Sequence, residues 1–87
     1  MAVWGADVDQ LKTLGTKLTT GADAIEAQKN ELTSRLDTVQ WTGPDAQKFR
    51  DEWSGTHMVS LNKVVEALRT AGTRATRNAE EQTTASA

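Results

Sequence analysis

Apolar side chains recur at every seventh position through the first half of the chain, at Trp4, Leu11, Leu18, Ile25, Leu32 and Val39, the signature of a helix with a continuous seam. A second row, Val8, Gly15, Ala22, Lys29 and Leu36, follows the first at a four-residue step and has small residues at its middle. Gly15 and Gly21 each cost a helix about 1 kcal/mol relative to alanine, so close packing against another helix is expected at both. The second half repeats the pattern at steps of three and four, through Ala46, Phe49, Trp53, Met58, Leu61, Val64, Val65, Leu68, Ala71, Ala75 and Ala79, as an amphipathic helix does. Near Gly55 and Thr56 the stripe steps sideways. Phe49 and Trp53 continue to His57 and Leu61 on one line, Met58, Leu61 and Val65 follow another, and a mild bend or a broadened face is expected there.

Between the two halves stands Trp41-Thr42-Gly43-Pro44. A glycine that ends one helix, a proline that begins the next and Asp45 in the positive first turn make this a reversal. The reading is a single all-α domain over residues 1–87, an antiparallel helical hairpin: helix 1 about 5–39, turn 40–44, helix 2 about 45–79. The tail, 80–87, has no large apolar residue and is expected to be flexible.

Helices of about 35 residues are roughly 50 Å long, so the folded chain is a thin rod. Two helices touch along one line, whereas each stripe is wider than a line, and Leu, Val and Trp surface is left over. A second hairpin would cover it as a four-helix bundle. Burying one Leu, Val or Phe contributes about 1.5–3 kcal/mol, and half a dozen outweigh an association cost of order 10 kcal/mol. Dimerisation is therefore expected, with Leu11, Leu18, Ile25, Leu32, Phe49, Trp53, Leu61 and Leu68 at the bundle interface and Trp4 at its open end.

Composition narrows the chemistry. The 87 residues carry no cysteine, one histidine and a net charge of −2, which leaves no disulfide, no zinc site of ordinary ligand type and no positive field for nucleic acid. The N-terminus lacks the basic and apolar runs of a secretory signal, no segment approaches ~18 consecutive apolar residues, and the acidic balance does not suit a membrane-active helix. No catalytic constellation can be assembled; Asp51 and Glu52 are adjacent and point in different directions on a helix. No enzyme activity, cofactor, small-molecule substrate or stable membrane insertion is expected. Glu31 with Arg35 reads as a solvated pair, His57 as a polar neighbour on its helix, and Arg69, Arg74 and Arg77 as complements to a helix C-terminus.

A central Trp41-Thr42-Gly43 between two helical halves, followed by Ala46, Phe49 and Trp53 at helical spacing, resembles the Trp-Xaa-Gly (WXG) family of small type VII secretion substrates, the Esx proteins. The resemblance covers nearly the whole chain. It implies a hairpin that pairs with itself or a sister WXG protein into an antiparallel four-helix bundle, made in the cytoplasm of a Gram-positive bacterium. From there it would be exported folded to the medium or envelope by a membrane-embedded ATPase, without a Sec signal peptide. In the family the motif Trp and Gly, here Trp41 and Gly43, form one half of an export signal, and a tail tyrosine followed four residues later by an acidic residue forms the other. This chain has no tyrosine. Arg77 with Glu81, and Thr76 with Glu80, keep the four-residue step without the aromatic ring, which makes Arg77, Glu80 and Glu81 the tail positions to consider. Three explanations remain: a partner supplies the tyrosine, which is the preferred one; the machine reads a different tail; or the chain is a cytoplasmic adaptor for a larger type VII effector.

Overall fold

The computed structural model describes residues 7–86, and Trp4 lies outside the described residues. Among these the chain is a helical hairpin with no strand. Helix α1 spans Val8–Thr38 and starts three residues later than expected because Asp7 caps it, accepting the Gln10 N–H at 2.9 Å. The returning arm comprises α2 (Pro44–Glu52), a π-helical turn (Trp53–His57) and α3 (Met58–Ser86). The molecule measures 64 × 17 × 13 Å, so no side chain lies far from its surface.

The seam is made of the smaller residues. Gly15, Ala22 and Lys29 of α1 are buried, as are Ala46 of α2 and Val65, Gly72, Ala75 and Ala79 of the last helix. At the centre of the open half two glycines meet. A Cβ added to Gly15 would lie 3.1 Å from the Gly72 carbonyl and 2.6 Å from Thr76 Oγ1, and one added to Gly72 would lie 3.1 Å from the Gly15 carbonyl. Backbone touches backbone there, which accounts for Gly15 as expected. Gly21 differs: an added Cβ has nothing within 4 Å, so packing within the hairpin does not account for it.

The sideways step near Gly55 is the π-helical turn. Five residues, Trp53–His57, occupy the wider turn, and the Met58 N–H bonds the Trp53 carbonyl. The extra residue brings Met58, Leu61 and Val65 back into line with Ala46 and Trp53 without a break in the arm.

Two further boundaries differ from expectation. Gly43 does not end the first helix; α1 stops at Thr38, five residues earlier, and Gly43 is the N-cap of α2 with Pro44 in its first turn. The last helix also runs past the expected end at about residue 79, since α3 continues to Ser86. No glycine or proline follows Gly72. Thr83 and Thr84 donate back to the carbonyls of Ala79 and Glu80 at 3.0 and 2.9 Å, local bonds that satisfy the hydroxyls within the helix.

Candidate functional site: the turn and the exposed apolar side

The reversal is held by one side chain. Val39 is extended, and its N–H closes α1 on the Arg35 carbonyl, leaving later carbonyls without helical donors. Arg50 reaches back from α2 and donates to the carbonyls of Leu36, Trp41 and Val39 at 3.0, 2.8 and 3.4 Å. Its guanidinium also lies 5.8 Å from the centre of the Trp41 ring, within cation–π range. Gly43 then turns the chain with φ 113° and ψ 173°, a backbone region that is essentially reserved for glycine.

These ties fix an aromatic ladder on the tip. Trp41 and Phe49 rings are 6.0 Å apart, Phe49 and Trp53 stack at 6.5 Å, and His57 lies 6.3 Å from Trp53. Trp53 is anchored below: its indole N–H donates to Thr33 Oγ1 at 2.9 Å, and that hydroxyl donates to the Lys29 carbonyl at 2.8 Å. Trp53 and Phe49 are half-buried, and Trp41 is 40% exposed. The tip thus offers one open indole at the end of an aromatic stack.

The tail positions lie elsewhere. Arg77, Glu80 and Glu81 are exposed on the last turns of α3, roughly 50 Å along the arm from the turn at ~1.5 Å per residue. Arg77 and Glu80 line a shallow groove with Thr19, Gly72, Thr73 and Thr76. One chain does not bring Trp41 and Gly43 together with these residues.

The hairpin has two unlike sides. One carries the polar ties between its arms: Lys29 Nζ donates to Asn62 Oδ1 at 2.6 Å, and Arg69 bridges Asp23 at 2.8 Å and Glu26 at 2.7 Å. Hydrogen bonds from Arg69 to Asp23 first and Glu26 second raise the guanidinium pKa above its already high ordinary value. The expected Glu31–Arg35 pair forms at 3.1 Å on the exposed surface. The other side is apolar. Leu11, Leu18, Ile25, Leu61 and Leu68 are half-covered, Leu14, Leu32 and Val64 are 44–49% exposed, and Ile25, Leu32 and Leu61 share a shallow groove with Ala24, Gln28 and the Lys29 stem. Six of the eight expected interface residues thus lie on this side, while Phe49 and Trp53 belong to the ladder.

Arg50, Thr33 and Gly72 were not anticipated from the sequence. Arg50 had no spacing to mark it, because its partners are carbonyls that any sequence supplies. Gly72 had a signal, a glycine one step from Leu68 and Ala75 on the seam. Among the described residues no group of three His, Asp or Glu is placed to hold a metal, and no helix is long and apolar enough to cross a membrane. Comparison with protein-family models, curated proteins and solved structures gives no match.

Proposed function

We propose that this chain is a small secreted substrate and dimeric assembly partner of a type VII, ESX-like secretion system, read through its Trp41–Gly43 turn and its C-terminal tail. One observation carries the reading: the Trp-Xaa-Gly tripeptide occupies the tip of a helical hairpin, with the indole open and the glycine in a conformation that other residues avoid. A protein that acts by being recognised needs such a fixed, presented ring more than it needs a cleft. The apolar side supports the second half of the reading, since a dimer with the form of a four-helix bundle would remove that surface from water.

Expression in a type VII-competent Gram-positive host tests it. The wild-type chain should appear in the medium without lysis, and Trp41→Ala should stay inside the cell while keeping its helical content and melting temperature. Equal export of both would remove the turn from the recognition. The absence of tyrosine favours one alternative, a cytoplasmic adaptor that covers a larger effector of the same system. Retention of the wild type in the cell, together with co-purification of such an effector, would select it.

A further inference from the structure

We propose that the polar side of α3, across residues 69–80, is a docking groove for a short acidic peptide segment of another protein, a role beyond export and independent of it. Spacing alone assigns Arg69, Arg74 and Arg77 to a helix C-terminus. Yet α3 runs on to Ser86, more than two turns past Arg77, and the pull of a helix end fades within its last turn. Arg69 is explained instead by its bridge to Asp23 and Glu26. Arg74 and Arg77 are exposed, and among the described residues neither is paired with a carboxylate.

The hydroxyls beside them are idle as well. Thr19, Thr33, Thr38, Thr83 and Thr84 each donate to the carbonyl four residues earlier, a common way to satisfy a helical threonine. Among the described residues Thr70, Thr73 and Thr76 make no such bond. From Arg69 to Arg77 the helix carries three arginines, three threonines and no acid, a positive stretch in a chain of net charge −2. Steps of three and four put Thr70, Thr73, Arg74 and Arg77 on one face.

Shape and charge together choose the occupant. Two shallow hollows adjoin here and share Thr73 and Arg77; one reaches Arg69 and Thr70, the other Glu80 and, on α1, Thr19. The span from residue 69 to 80, at ~1.5 Å per residue, makes a groove roughly 16 Å long, enough for about five residues of extended chain at ~3.3 Å each. A lone phosphate needs no such length, and it takes up donors only. Threonine hydroxyls both donate and accept, so they serve the N–H and C=O groups of a peptide backbone, while the guanidinium forks of Arg74 and Arg77 match carboxylates. Glu80 at one end and Asp23 with Glu26 at the other repel negative charge, so the acidic residues of the segment lie at the middle of the groove. This face is opposite the apolar side and stays open when that side is covered.

The test titrates the full chain with a capped pentaglutamate peptide at low ionic strength and follows the amide chemical shifts. Amides of residues 69–80 should shift and saturate, while those of the tip stay where they are. Arg74→Gln combined with Arg77→Gln should weaken binding about tenfold with helical content unchanged, since both side chains are exposed, and Arg35→Gln on the distant surface should bind as the wild type does. Thr73→Val keeps the shape, removes the hydroxyl and should weaken binding about threefold. No shift in residues 69–80 at about 5 mM peptide, equal shifts with capped pentaglutamine, or an unweakened double arginine variant overturns the proposal. Equal affinity for Thr73→Val, or a tighter response to inorganic phosphate or to vesicles of anionic lipid than to the peptide, overturns the peptide as occupant.

Discussion

The open half of the hairpin and its tip are joined in opposite ways. Toward the open end the arms touch through Gly15, Gly72, Ala75 and Ala79, with little side-chain mass between them. Toward the tip they are held by long side chains: Lys29 on Asn62, Trp53 on Thr33 and Arg50 on the carbonyls of the turn. Closeness stabilises the first through dispersion and the exclusion of water, and it tolerates no added volume. Specific hydrogen bonds stabilise the second, and they tolerate volume better than the loss of a donor. The same thin fold thus combines a zipped stem with a laced tip, and among the described residues only the tip presents aromatic surface.

Substitutions should separate the two modes. Gly15→Leu forces the arms apart at the stem and should lower stability by about 3 kcal/mol or more, read from chemical denaturation, whereas leucine at exposed Gln47 near the tip should change little. Trp53→Ala removes a half-buried ring and leaves Thr33 without its donor, for a loss of about 2–3 kcal/mol, below the ~3–5 kcal/mol of a fully buried aromatic. Arg50→Ala frees three carbonyls at a partly solvated site and should cost about 2 kcal/mol. Arg50→Lys should recover little of that, because a point charge cannot span three acceptors as the planar fork does. Gly43→Ala should cost about 1–2 kcal/mol through its backbone angles alone, with the loss confined to amide exchange in the turn. Gly21→Ala runs the other way. With open space around it, alanine should raise the stability of a dissociated chain by up to about 1 kcal/mol. A fall in stability there would mean that a neighbour already occupies the space in solution.

Much of this architecture could be read from residue order, because heptad rows are a property of spacing. The rows through Leu11 and through Gly15 are both real, and their division of labour follows from size: the small row lies inside the seam and the large row is left at its flank. The reversal was legible in Gly43 and Pro44, though its assignment shifted, since Val39 can leave the helix without a glycine when Arg50 serves the carbonyls left behind. The tail misled because apolar content was the signal used. Helices also persist where nothing interrupts them, and Thr83 and Thr84 add bonds that composition does not reveal. At the candidate site Trp41 and Gly43 were visible in the motif, while Arg50 acts on backbone carbonyls that any sequence supplies and Thr33 meets Trp53 across the hairpin, a pairing that no local spacing marks.

The wide turn at Trp53–His57 sets how the chain can change length. It already stores one residue more than regular winding would use, so losing a residue such as Gly55 lets the arm close to ordinary α-helix with the seam beyond it still in phase. The same loss between Leu61 and Gly72 would swing every later seam residue about 100° around the helix and carry Gly72 away from Gly15. Length variants of this protein should therefore be tolerated at one place along the arm, the turn at Trp53–His57, and the spacing between tip and stem can drift there without unzipping either.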